Sequence, residues 1–400
     1  MFTLKDFTLA ENRLKNIIKE TRLIYSPAFS EESQNEIFIK PENLQKTGAF
    51  KIRGAYNKIA LLSDEEKKRG LIASSAGNHA QGVAFAAQQL GVPATIVMPK
   101  TTPLIKIEAT KKYGAKVVLA GDVYDEAYEE AMRLQKENNY TFIHPFNDKD
   151  IIIGQGTIGL EIFKELPDTD VVLVPVGGGG LIAGVAAAIK LVNPHIKIVG
   201  VEPEGAASML ESFKNDKITK LENTHTIADG TAVKEVGELT FNLCKKYVDE
   251  IITVSDYELM EAFLILVEKH KIIAENSGLL SLAGIKRLNV KNKKIVCVVS
   301  GGNIDVLTIS SLITKGLVSR GRIFRFSITL NDRPGELLLV SDILAKQNAN
   351  VIKLDHNQFK NLDRFTHVEL EVTVETNGER HIQEIIKAFA KKGYSINKVE

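Results

Sequence analysis

One lysine of this 400-residue chain stands in unusual company. Lys51 lies in Gln45-Lys46-Thr47-Gly48-Ala49-Phe50-Lys51-Ile52-Arg53-Gly54-Ala55, between an aromatic residue and a small-residue helix face. An amine shielded by apolar neighbours loses its preference for the charged form and becomes a nucleophile toward carbonyl compounds, the chemistry of a Schiff-base lysine. The same segment also reads as a surface lysine whose stem lies along Phe50. With 51 Lys and Arg in the chain, Lys51 by itself does not decide between the two.

Three further stretches join a strand end, glycine and a helix start: Ser74-Ser75-Ala76-Gly77-Asn78-His79, Gly177 to Gly180, and Ser300-Gly301-Gly302-Asn303. Backbone N–H groups at a helix N-terminus have no intrahelical partner and carry partial positive charge. Glycine lets an anion approach them closely, so such a turn makes an anion cradle. One glycine suffices for a tight turn; four in a row after VVLVPV point to a ligand. In open α/β sheets ligands gather at the carboxyl ends of strands, so the three loops are expected to converge on one cleft. Gly178, Gly180 and Ala183 also satisfy G-x-G-x-x-A, with Glu202 ending the next strand about twenty residues on, the pattern of a dinucleotide site in an NAD-dependent dehydrogenase. No G-x-x-x-x-G-K-[ST] occurs, which excludes a P-loop.

The elements that must position these loops alternate from about residue 70. GLIAS, ATIVMP, KVVLAG, VVLVPV and IKIVGVE read as short buried strands; NHAQGVAFAAQQLG, TTPLIKIEATKKYGA, about Asp125 to Glu137, GQGTIGLEIFKEL and LIAGVAAAIKLV read as helices, with YTFIHPF as a loop. Apolar strands separated by long helical stretches pair in parallel, which predicts a doubly wound α/β protein. From Arg322 the pattern changes to RIFRFSITL, a turn at NDRPGE, helix LLLVSDILAKQN, then NVIKLDHN, THVELEVTVE, helix ERHIQEIIKAFAKKG and YSINKV. This βαββαβ order is that of a ferredoxin-like module, and the alternation in HVELEVTVE leaves one sheet face solvated. The join ITKGLVSRGR places the boundary near residue 320.

Composition narrows the classes. The chain is 44% hydrophobic and 25% charged with a net charge of +1, so it lacks the clustered basic surplus of a nucleic-acid or polybasic membrane surface. The longest apolar stretch, Leu181 to Val192, is broken by Lys190 and falls short of the roughly 20 residues of a membrane span. Lys5, Asp6, Glu11, Arg13 and Lys15 interrupt any leader-like core, so a cytoplasmic location is expected. Cys244 and Cys297 make neither a disulfide framework nor a four-ligand zinc site, and no metal is expected. Cys297, within IVCVVS, reads as a buried small hydrophobe.

TGAFKIRGA, SSAGNHAQG, the GGGG run and SGGN, in this order and at these separations, resemble the fold-type II pyridoxal-phosphate enzymes over about residues 5–315. Within that group the chain is similar to the threonine dehydratases, and its DRPGEL turn (Asp332 to Leu337) resembles that of ACT regulatory domains. The resemblance implies two open, twisted, mostly parallel α/β domains over 1–320, a small one at about 45–145 inserted between 1–44 and 146–320 of the large one. A ferredoxin-like ACT domain would then occupy 321–400. Lys51 would hold pyridoxal 5'-phosphate as a Schiff base and afterwards act as the base at the substrate Cα. Phe50 would pack against the ring and Asn78 would hydrogen-bond its hydroxyl. Gly177, Gly178, Gly179, Gly180 and Leu181 would cradle the phosphate, and Ser300 would bond the pyridine nitrogen. Ser75, Ala76, Gly77, Asn78 and His79 would receive the substrate carboxylate. The implied reaction is β-elimination of water from L-threonine, and from L-serine, giving 2-oxobutanoate or pyruvate and ammonia.

Serine racemases share nearly every motif. They carry a serine immediately before the Gly-Asn pair as their second acid–base group; here that position is Ala76, which favours the lyase. They also bind a divalent cation through acids after the fourth strand. Glu202 is present but the second acidic position is Ser208, so no metal site is assigned. The resemblance further implies an amino-acid effector, isoleucine or valine, at Asn331, Asp332 and Gly335 between paired ACT modules, and hence a homodimer or homotetramer. Glu275, just before a helix near the third glycine loop, receives no role.

Overall fold

Val, Ile and Leu in unbroken runs form strands that hide both faces, and each such side chain stabilises by about 1.5–3 kcal/mol when fully buried. In a computed structural model describing residues 2–357 and 367–399, these runs make two sheets within the first of two compact units, Met1–Ile304 and Asp305–Glu400. The strands of the first unit are β1 (Ile24–Tyr25), β2 (Glu36–Pro41), β3 (Leu71–Ser74), β4 (Ala94–Met98), β5 (Lys116–Leu119), β6 (Thr141–Phe142), β7 (Val171–Pro175), β8 (Lys197–Pro203), β9 (Glu250–Val254) and β10 (Lys294–Val299). The large sheet has the order β1-β2-β10-β7-β8-β9 and is parallel apart from β1, which pairs antiparallel to β2 at one edge. The small sheet, β5-β4-β3-β6, is parallel throughout and falls between β2 and β7 in the chain. Part of the expected loop YTFIHPF is therefore strand: Thr141–Phe142 pairs with Leu71–Ile72 before the chain turns toward the site.

The helix Lys51–Leu61 is fastened by charge as well as by apolar packing. Arg53, fully buried, donates to both Glu42 oxygens at 2.8 Å, to Glu161 at 2.6 and 2.8 Å and to Thr157 at 3.0 Å. Buried Lys40 joins Glu161 at 2.6 Å. Burial alone would raise the Glu161 pKa, yet Arg53 and Lys40 hold it below the usual carboxylate range. The quartet ties the helix to β2 and to the helix Lys149–Glu165.

The second unit contains β11 (Ile323–Asn331), β12 (Asn350–Asn357), β13 (His367–Glu375) and β14 (Ile396–Lys398), with helices Glu336–Lys346 and Glu379–Lys391 between them. Its antiparallel order β12-β13-β11-β14 is the ferredoxin-like arrangement expected of a βαββαβ chain. Val368, Leu370, Val372 and Val374 of β13 alternate inward and meet Val340, Leu344, Ile385 and Phe389 of the helices. The helix Val306–Ser319 groups with this unit because it packs on β11, so the division falls at Ile304/Asp305, ahead of the join expected near 320. Among the described residues no helix is long and apolar enough to cross a membrane. Cys244 and Cys297 are buried, and burial raises both thiol pKa values.

Candidate active site

Lys51 opens its helix at the end of a segment stitched to the third glycine loop. Phe50 N donates to Ser300 O at 3.1 Å, and Ala49 bridges Gly301. The Lys51 amine lies 5.2 Å from the centre of the Phe50 ring and donates to Pro145 O at 2.8 Å. Burial lowers its pKa to about 8, against the opposing charge of Glu275. At pH 7.5 roughly a quarter of such amines are neutral, compared with about one in a thousand at the ordinary lysine value. The nucleophilic reading of Lys51 therefore has its physical cause in the fold.

The second loop follows β7 and starts the helix Gly180–Val192. Gly179 takes φ of +91°, and a Cβ on Gly178 would overlap the Phe146 ring. The N–H groups of Gly177, Gly178, Gly179, Gly180 and Leu181 meet no acceptor among the described residues, which leaves five donors open along the loop at a helix N-terminus. Phe146 reaches the loop from the segment His144–Asn147, whose Pro145 carbonyl is the one that receives Lys51. That segment is closed by His144, whose Nδ1 accepts from Phe146 N at 3.2 Å and Asn147 N at 2.8 Å. Two donors on Nδ1 fix the remaining proton on Nε2, and burial with the Lys51 charge pushes the His144 pKa down to about 4.

The first loop joins β3 to the helix Asn78–Leu90. Ser75, Ala76, Gly77 and Asn78 are half-buried, and a Cβ on Gly77 would meet nothing. Gly77 N donates to Ser75 Oγ at 3.3 Å, while the N–H groups of Ala76, Asn78 and His79 meet no acceptor among the described residues. His79 is buried and its Nε2 lies 2.9 Å from Ile143 O. Burial, then the Lys51 charge, drives its pKa to about 3, so it is a neutral cap on the loop.

The third loop leads from β10 toward the helix Val306–Ser319, and it also works through side chains. Asn303 Nδ2 donates to Thr47 O and to Asn78 Oδ1, both at 2.8 Å. Asn78 Nδ2 in turn donates to Glu275 Oε1 at 2.6 Å. Ser300 is buried and its hydroxyl has no hydrogen-bond partner among the described residues.

Lys51, Phe50, Ser75–His79, Gly177–Leu181 and Ser300 are thus linked through direct contacts in one unit. Asn331, Asp332 and Gly335 belong to the other unit, all exposed, around buried Glu336. Glu336 accepts from Arg333 and from the Tyr394 hydroxyl at 2.8 Å each, which together lower its pKa. The sequence assigns no role to Pro145, Phe146, Asn303 or Glu275, all of which the fold brings to the site. Glu202 does not offer the carboxylate a ribose would need: it is buried and accepts from Met209 N and Leu210 N at 2.8 Å. Burial outweighs these two bonds and pushes its pKa up to about 8.

The donor set fits pyridoxal phosphate. A shielded amine of lowered pKa suits an aldehyde, five unpartnered N–H groups suit a phosphate, and the Ser300 hydroxyl and an Asn78 N–H suit ring polar atoms. A family model described as "Pyridoxal-phosphate dependent enzyme" matches residues 14–301. An L-threonine ammonia-lyase of Thermotoga maritima is 50% identical over 397 residues, 99% of each chain. One of Geobacter sulfurreducens is 44% identical over 390 residues, 97% of each chain. The processed form of threonine deaminase isoform 2 from Solanum lycopersicum superposes with a TM-score of 0.75 at 41% identity, covering 78% of this chain and 92% of that one. A maize serine racemase gives a TM-score of 0.74 at 36% identity, covering 80% of this chain and 99% of that one.

Proposed function

The chain belongs to the pyridoxal-phosphate dependent enzymes, and from that membership we propose that it deaminates L-threonine, and L-serine beside it, releasing 2-oxobutanoate or pyruvate and ammonia. The observation that carries the reading is the neutralisable Lys51 amine beside an unpartnered N–H cradle, in a chain half identical end to end with an L-threonine ammonia-lyase.

Lys51, Asn78, Ser300 and the Gly177–Leu181 amides are the groups that would hold pyridoxal phosphate. When bound, that group supplies an electron sink conjugated to the substrate Cα. The chain's own residues do the rest. Ala76, Asn78 and His79 present N–H groups at a helix N-terminus to the substrate carboxylate, fixing the amino acid by one end. Lys51 Nζ takes the Cα proton, and its lowered pKa keeps a useful share of the amine free to do so. Neutral His79 and His144 do not compete for that proton. Phe146 packs on the cradle glycines and the Pro145 carbonyl holds the amine beside them. Ala76 has no proton to return to Cα, which supports elimination over racemisation.

The second unit we read as an ACT regulatory domain beginning with β11, its effector isoleucine or valine at Asn331, Asp332 and Gly335, in a cytoplasmic homodimer or homotetramer. Its support is the ferredoxin-like strand order and the exposed turn around Glu336. The first test is a visible spectrum of the purified protein before and after borohydride, then L-threonine with keto-acid detection. Yellow colour fixed onto Lys51 together with 2-oxobutanoate is the expected result. A protein that pyridoxal phosphate cannot reconstitute overturns the reading.

A further inference from the structure

Glu275 is a buried carboxyl that the elimination as described does not use. Its backbone N donates to Gly301 O at 3.1 Å, and its Oε1 accepts from Asn78 Nδ2 at 2.6 Å. A Cβ on Gly301 would overlap the Glu275 carboxyl and come within 3.0 Å of Asn78 Nδ2, so the glycine there makes room for this pair. The other end of the same amide is also taken: Asn78 Oδ1 accepts from Asn303 Nδ2, which is itself anchored on Thr47 O. Turning the Asn78 amide over would set its oxygen against a carboxyl oxygen and its NH2 against another NH2. Of the four hydrogen-bonding positions an amide offers, the network leaves one N–H and one lone pair uncommitted.

We propose that Glu275 is a positioning residue for the cofactor: with Asn303 it locks the Asn78 amide so that Asn78 faces the cofactor's ring oxygen as a donor. The inference rests on the pyridoxal-phosphate reading above. A donor held there favours the ionised ring oxygen over the protonated one, and so sets the colour and the grip of the bound cofactor. The groups acting on Glu275 are Asn78 on the helix Asn78–Leu90, Asp229 on the turn Asp229–Thr231, Lys106 on the helix Leu104–Lys111, and Lys51. Burial dominates among them and moves the carboxyl up to about 7, with Asp229 adding to the rise and Asn78, Lys106 and Lys51 opposing it. A group titrating there gives the lock a pH signature.

The test titrates full-length apo-protein with pyridoxal phosphate and records affinity and visible spectrum from pH 6 to 9 for wild type, E275A, E275Q, N78A and the double variant E275A/N78A. E275A is expected to bind the cofactor about tenfold more weakly and to shift its visible band. E275Q keeps an acceptor for Asn78 Nδ2, so it is expected to restore affinity while losing the absorbance step near neutral pH. The double variant is expected to be no weaker than N78A, because Glu275 acts through Asn78. Additive losses in the double variant, or an E275Q protein that keeps the pH step, overturn the proposal. Wild-type protein that takes up cofactor while E275A matches it in affinity and spectrum overturns this inference alone. Wild-type protein that takes up none overturns the underlying reading with it.

Discussion

The first unit buries Lys40, Glu42, Arg53, His79, Glu202 and Glu275, whereas the second, among its described residues, buries only Glu336 and His381 of its acids, bases and histidines. Both of the latter are satisfied close by: His381 bonds Asn377 N and Gln347 O, and Glu336 bonds Arg333 and Tyr394. In the first unit the Arg53 quartet is satisfied in the same way, but Lys51, Glu275 and the loop amides keep bonding capacity to spare. Excluding charge from water costs several kcal/mol per ion unless it is paired. At the Lys51 site shielded groups keep capacity for a ligand, whereas the matched charges around Arg53 fasten the fold.

Five measurements break or sharpen that contrast. The largest effect is expected of Lys51→Ala, which should lower L-threonine turnover at least about 10,000-fold and abolish borohydride fixation of the cofactor; turnover within tenfold of wild type would erase the distinction. Arg53→Met leaves buried Glu42 without its ion partner and Glu161 with Lys40 alone, and should destabilise by about 3–5 kcal/mol in urea unfolding. Replacing exposed Lys346 of the second unit, paired with Asp342 at 2.6 Å, should change stability by less than about 1 kcal/mol. Third comes pH. Because the Lys51 pKa is lowered from 10.5 to about 8, the folded apo-protein carries a penalty wherever that amine is protonated. Wild-type stability should rise between pH 8 and 10.5, and Lys51→Met should lack that rise and be more stable at pH 7 by up to about 3 kcal/mol.

The fourth pair concerns glycine. Gly178→Ala drives a methyl into Phe146 and should cost about 1–3 kcal/mol in stability together with cofactor affinity. Gly335→Val in the second unit, where φ is +101° and the space is open, should cost about 1–2 kcal/mol and leave cofactor affinity alone. Smallest is Asp332→Ala, expected to raise the isoleucine or valine concentration for half-maximal response by about tenfold in steady-state kinetics.

The parts of the site legible in the sequence are those built from local spacing. Lys51 beside Phe50, four glycines after an apolar strand, and a glycine turn before a helix declare themselves within ten residues. The parallel sheets were legible for the same reason, since unbroken apolar runs alternate with long helices. The edge strand Ile24–Tyr25 and Thr141–Phe142 were not, because two residues hold no period. Glu275 and Asn303 meet Asn78 from 197 and 225 residues away, a pairing that only the fold creates. Pro145 contributes a backbone carbonyl, which every residue has, so its identity carried no signal. The boundary expected near 320 follows a shift in composition, which does not show that the helix Val306–Ser319 packs on β11.

The turn that carries Pro145 and Phe146 is closed on one lone pair. Both amides that close the segment share His144 Nδ1, and a single proton arriving there would evict them together. Burial and Lys51 keep that nitrogen bare until about pH 4, whereas an unfolded chain would protonate it near 6.5. As pH falls through that window the unfolded chain takes up a proton that folded His144 refuses, so the clasp subtracts progressively from stability between about pH 6.5 and 4.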